Sequence, residues 1–181
     1  MRKIIEQYLT VSKYNRPGVK LNAVKGIVVH YTANSHANAE QNIRFWESRK
    51  NGKLGYGAAH FVVDPSETRI AVPISEMAYH VGANEYKKDA LEQLGSYPNN
   101  CTIGVELCNI NDLGGFHIQT EENGAELLAN LLYSNNLSIS NLWRHFDITG
   151  KICPKLFVDD EESYARFKQR VQSYYDKLLI K

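Results

Sequence analysis

His30, Glu106, His145, Lys151 and Cys153 are the residues of this sequence whose types could act on one another chemically. His30 ends the apolar run KGIVVHY, and His145 ends the short run Leu142 to His145. Cys153 follows in the loop RHFDITGKICPK. Neutral imidazoles and a thiolate are good zinc ligands, and two histidines with one cysteine leave the fourth tetrahedral position open for water or substrate. Gly150 permits a turn ahead of Cys153, and Pro154 stiffens the chain behind it. Spacing alone does not select this reading, because only the fold can bring His30 and His145 together. The plainer alternative is a packed strand-end histidine and a thiol that behaves as a small buried hydrophobe.

Glu106 adds weight to the first reading. It sits inside TIGVELC, an otherwise apolar run. Strand alternation puts Gly104, Glu106 and Cys108 on one face and Ile103, Val105 and Leu107 on the other. A carboxylate in a buried strand is costly unless it is paired or working. It is therefore either a general base poised by its surroundings or a solvent-facing acid on an edge strand. Lys151, two residues before Cys153, makes a poor metal ligand but a good electrophile for a developing oxyanion. Its alternative is a solvated loop lysine. Cys108 reads as packing and Cys101 carries no role, while His36 and His117 read as surface residues.

The elements that must position these groups follow from the apolar pattern. Lys25 to Tyr31, Ala58 to Asp64, Arg69 to Pro73, Thr102 to Ile110 and Leu142 to His145 read as strands, the second and third as a hairpin. A helix is expected over Ala39 to Arg49, capped by Asn38 and stopped by Asn51-Gly52. A short helix is expected over Lys87 to Leu94, and an amphipathic one over Thr120 to Tyr133 with Thr120 and Asn123 bracketing its cap. The last helix runs from Glu161 to Leu179. Lys3 to Tyr8 fits either a short helix or an extended arm, and residues 76–86 an irregular surface stretch. Strands alternating with helices imply one α/β domain, residues 1–181, with a central mixed β-sheet flanked by helices.

Bulk properties agree with this. The chain has 181 residues, 43% hydrophobic and 23% charged, which is ordinary for one globular domain. A formal net charge of +1 supplies no field to draw nucleic acid or acidic membranes. Three cysteines without repeating spacing argue against a disulfide framework and for a reducing compartment. The N-terminal MRKIIEQYLTVSKYNRPG lacks the apolar core of a signal peptide, so cytoplasmic synthesis is expected, and no stretch reaches transmembrane length.

The segments VVHYTAN, AAHFVVD, AYHVGA, IGVELC and RHFDITGKICP, in this order over about residues 24–173, resemble the zinc-dependent N-acetylmuramoyl-L-alanine amidases. That family includes phage endolysins, bacterial autolysins and peptidoglycan-recognition proteins. The resemblance implies a single zinc ion held by His30, His145 and Cys153 in a groove at one end of the sheet. It implies Glu106 as the catalytic carboxylate and Lys151 as the residue that stabilises the tetrahedral intermediate. The position where some relatives carry a catalytic tyrosine is Ala59, so that role falls to Glu106. Tyr31, His60 and His80 are implied substrate contacts, with Trp46 and Tyr79 as further aromatic candidates, although His60 fits a packing role equally. The implied partner is murein, cleaved between muramic acid and L-alanine by a monomer that neither inserts into membranes nor binds nucleic acid. An endolysin-like route, synthesis in the cytoplasm and action on the wall after release, is implied, with a secreted autolysin as the alternative. The rival functions are a non-catalytic peptidoglycan-binding module on the same fold, a glycosidase and a metal-free structural domain.

Overall fold

The two strongest β-branched runs pair with each other at the centre of a sheet. They are β2 (Gly26–Tyr31) and β5 (Thr102–Leu107), parallel and in a register that sets His30 beside Glu106. The structure is a computed structural model and describes residues 3–180. Around this pair lie β1 (Ile4–Glu6), β3 (Phe61–Val63), β4 (Thr68–Ile70) and β6 (Leu142–Arg144), giving six strands in the order β1-β4-β3-β5-β2-β6. Only β3 and β4 pair antiparallel, as the expected hairpin; the other neighbours are parallel. The sheet is therefore mixed, as expected.

Chain direction decides which face each helix covers. From β2 the chain crosses β5 to reach β3, and from β5 it crosses β2 to reach β6. The two crossovers run in opposite directions along the sheet. Right-handed connection of both puts their helices on opposite faces. The first crossover carries α1 (Ala39–Ser48); the second carries α3 (Ile118–Ser134). Helix α3 packs with the terminal α6 (Glu161–Leu179) over the face bearing Ile27, Val29, Ile103, Val105 and Leu107, which is the main core. On the opposite face lie two smaller apolar clusters. One joins α1 to Val62 and Cys108; the other joins Val28 and Trp143 to α2 (Lys88–Leu94) and α4 (His145–Thr149). A short α5 (Lys155–Asp159) leads into α6.

Several expectations need correction. Ile4–Glu6 is neither a helix nor a free arm; it is an edge strand, parallel to β4. Strands β3 and β4 are shorter than the apolar runs suggest: the Ala71 and Val72 amides both reach the His60 carbonyl, which breaks regular pairing at that end, and Pro65 follows the other end of β3. His145 does not end β6. It opens α4, whose N-terminus is closed by Arg144 and Asp147. Helix α3 begins two residues before Thr120, and His117 caps it by accepting from the Gln119 amide at 3.1 Å. Asn123 instead donates to the Asp64 carbonyl at 3.0 Å. Asn38 caps α1 and the bounds of α6 hold, as the sequence reading has them; the reciprocal bond, in which the Asn38 amide donates to the Gln41 side chain, is an addition.

Candidate active site

Strand β5 lies between β3 and β2, so Glu106 is not on an edge. Register aligns Val62, Glu106 and His30 across three adjacent strands, on the face opposite the main core. Here the two smaller apolar clusters part and leave a groove of about 900 Å³ near the C-terminal ends of the parallel strands. In α/β sheets that end is where ligands bind.

His145 reaches the groove because β6 stops one residue earlier and α4 starts there. Gly150 ends α4 at φ 84°, in the left-handed region, and turns the chain back. Cys153 is thereby returned to α4, and its carbonyl accepts from the Phe146 amide at 3.0 Å. The Cys153–Pro154 peptide is cis. Arg144 anchors this corner from below. Its guanidinium donates to Asp147, to the Phe157 carbonyl at 2.7 Å and to Glu161 at 2.7 Å.

His30, His145 and Cys153, remote in sequence, converge as a result. The Nδ1 atoms of His30 and His145 are 3.1 Å apart, and the Cys153 Sγ is 3.7 Å from the His30 Nδ1. The potential ligand atoms of the three buried residues all lie within 4.8 Å of one another. That compactness suits a single ion at about 2.0–2.3 Å from each donor. The donor set fits zinc: two nitrogens and one sulfur, with the groove open on the remaining side.

Burial governs the electrostatics of the site. Burial pulls the His30 imidazole well below its ordinary range, helped by His145 and His80; burial takes His145 down to about 4. Both are neutral near pH 7 and present lone pairs. Burial pushes the Cys153 thiol up to about 12, with Glu106 adding to the effect. A divalent ion would displace that proton. Glu106 shares the groove; its Oε2 is sealed from solvent and has no hydrogen-bond partner. Burial pushes its carboxyl up to about 8, against the opposing pull of Lys151 and Arg49. Lys151, exposed, also lines the groove.

Of the expected substrate contacts, Tyr31 is half-buried and lines the groove. His80 lines it too, but its ring packs against His30, with its Nδ1 3.0 Å from the His30 Nε2. His60 does not line it. It is fully buried, with Nε2 donating to the Glu76 carbonyl at 2.9 Å and Nδ1 accepting from the Gly104 amide at 3.0 Å. Of its two readings, packing is therefore the one its position fits. Trp46 and Tyr79 reach the groove. The wall also holds Phe45, Tyr56, Tyr97 and Arg49, which sequence reading did not single out. Phe45 and Tyr56 are 45% and 59% exposed where they line the groove. Phe45 on α1 and Arg49 at its C-cap are four residues apart, and that spacing is the signal the sequence offers.

Known proteins resemble this chain in sequence and fold. The family profile of N-acetylmuramoyl-L-alanine amidases matches residues 20–156. A probable N-acetylmuramoyl-L-alanine amidase of Bacillus licheniformis is 37% identical over 180 residues, covering 99% of this chain and 50% of its own length. The amidase CwlL of the same species is 36% identical, covering 96% and 48%. The solved catalytic domain of XlyA, an amidase of Bacillus subtilis, superposes with a TM-score of 0.74 at 28% identity, covering 94% of this chain and 99% of that one. This chain spans about half the length of the curated relatives it matches. From the profile match, the identities and the coincidence of fold, the chain belongs to the N-acetylmuramoyl-L-alanine amidase family.

Proposed function

We propose that this chain is a zinc-dependent catalytic module, of endolysin or autolysin type, that hydrolyses the amide joining the lactyl group of N-acetylmuramic acid to the L-alanine of the peptidoglycan stem. The observation that carries the reading is the convergence of His30, His145 and Cys153 beside Glu106 in an open groove. Family membership supports the bond cleaved, since the relatives are named for that activity.

The three residues would hold the ion through two imidazole nitrogens and one thiolate. When bound, it supplies Lewis acidity to the scissile carbonyl and to the attacking water. Glu106 accepts the proton that the water loses as its oxygen bonds to the carbonyl carbon. As the C–N bond breaks, Glu106 returns that proton to the departing alanine nitrogen. The products are a lactyl carboxylate and a free L-alanine amino terminus. Glu106 must be ionised for the first step, and the nearby charges of Lys151, Arg49 and the ion favour that form. Lys151 donates to the oxyanion that develops on the carbonyl. Exposed Phe45, Tyr56 and Tyr97 offer apolar faces to sugar rings or stem-peptide side chains.

A glycosidase needs two acids across the bond. Among the described residues, Glu106 is the one carboxylate that lines the groove, which supports the amidase reading. Among those residues no helix is long and apolar enough to cross a membrane. The test uses purified cell walls. Turbidity should fall as L-alanine amino termini appear, and chelator or Cys153→Ala should abolish both. Binding to walls without new amino termini would favour a recognition module instead.

A further inference from the structure

His80 is buried, 8% exposed, yet the proposed chemistry gives it no task. Its hydrogen bonds can be oriented from one end. The His80 Nε2 lies 3.3 Å from the Thr102 carbonyl oxygen, which can only accept. The Thr102 hydroxyl is 3.2 Å from the same nitrogen, but it donates its proton to the Pro98 carbonyl at 2.7 Å. The His80 Nε2 therefore carries a hydrogen. In a neutral ring the Nδ1 is then the acceptor. That Nδ1 faces the His30 Nε2 at 3.0 Å, so the His30 Nε2 is the donor of the pair. The remaining nitrogen of His30, Nδ1, keeps its lone pair, and it is the atom turned toward His145 and Cys153.

We propose that His80 is a positioning residue: accepting from the His30 Nε2–H, it fixes the His30 tautomer and ring plane, so that the Nδ1 lone pair is presented to the metal site. The inference rests on the zinc reading above. Metal-binding histidines commonly donate their second ring N–H to a carboxylate, carbonyl or water, and losing that partner costs about 10–100-fold in affinity. Here an imidazole stands where the carboxylate would be, and the Thr102 carbonyl ends the relay.

The surroundings are shaped to hold the ring. Asn99, fully buried, accepts through Oδ1 from the His80 amide at 3.1 Å and the Val81 amide at 2.9 Å. The neighbouring strand carries glycine where the ring lies: a Cβ on Gly104 would meet it at 2.6 Å. Gly104 is thus the space in β5 that lets His80 reach His30, and the two rings meet edge-on at 85° with centroids 5.2 Å apart.

The experiment measures zinc affinity by competition with a chromogenic chelator. Wild type, His80→Leu, His80→Gln and Gly104→Ala are compared, with unfolding curves on the metal-free proteins. His80→Leu should lose about 10–100-fold in affinity. His80→Gln, whose carbonyl can still accept from the His30 Nε2, should recover most of it. Gly104→Ala, which keeps His80 but displaces its ring, should fall between them. Nitrogen-15 chemical shifts of metal-free wild type should show His30 protonated on Nε2. A folded His80→Leu that binds zinc as tightly as wild type overturns the proposal, as does wild-type His30 protonated on Nδ1. Wild type that takes up no zinc overturns the underlying metal reading instead, and the tautomer measurement then decides the His80 relay by itself.

Discussion

Replacing Glu106 by glutamine should raise the stability of the metal-free protein while destroying its activity. Burial pushes the carboxyl from 4.5 up to about 8. Between those values the unfolded chain has released the proton and the folded chain retains it, so the contribution of Glu106 to wild-type stability falls as pH rises. Glutamine cannot ionise and escapes this loss. At about 1.4 kcal/mol per pH unit, the advantage of Glu106→Gln should grow by about 3 kcal/mol between pH 5.5 and pH 8. The assay is urea unfolding of both proteins in excess chelator across that range. The other titrating groups are common to the two chains, and Cys153 and Cys108, which Glu106 perturbs, are pushed up and away from this pH range. Added zinc should narrow the gap, because a nearby cation favours the carboxylate. Hydrolysis of cell walls by the variant should fall about 10²–10⁴-fold. Unfolding free energies that stay parallel over this pH range would refute the claim that Glu106 is held in a desolvated site.

The same linkage acts in the opposite sense on the histidines. Burial takes His60 and His145 from 6.5 down to about 4, so the unfolded chain binds protons that the folded chain refuses. Metal-free protein should be stable above about pH 6.5 and lose several kcal/mol as pH falls toward 4, read by thermal unfolding; a flat profile would contradict this. Lys151→Met should lower kcat about 10²–10³-fold while chelator competition shows zinc affinity unchanged. Arg144→Met removes the ion pair to the partly exposed Asp147 and leaves the Phe157 carbonyl without its charged donor, so urea unfolding should show a loss of about 1–3 kcal/mol.

Much of this architecture is legible in residue pattern. The runs GIVVHY and TIGVEL are β-branched, apolar and bounded by turns, and they form the two central strands. Tyr164, Phe167 and Val171 recur at helical spacing and are the buried stripe of α6. Alternation within TIGVEL correctly separates Glu106 from the core-facing Ile103, Val105 and Leu107. What pattern misses is what tertiary contact decides. Ile4–Glu6 is too short to carry a period, and it is a strand only because β4 offers it an edge. His145 looks like the end of a strand because Leu142 and Trp143 are apolar; the closure by Arg144 and Asp147 makes it the start of a helix. Nothing local distinguishes His60, tied to two main-chain groups, from His80, tied to His30. Exposure of Phe45 and Tyr56 at the groove is likewise a property of how α1 and the 49–58 loop meet.

The most direct test is mass spectrometry of the fragments that the zinc-loaded chain releases from a defined muropeptide, with metal content measured on the same sample. The account predicts one zinc per chain, an intact glycan bearing a free lactyl carboxylate and a peptide beginning with unblocked L-alanine; Cys153→Ala should yield none of the three. Fragments with new reducing sugar ends and the stem peptide still attached, or undiminished cleavage by Cys153→Ala, would contradict it.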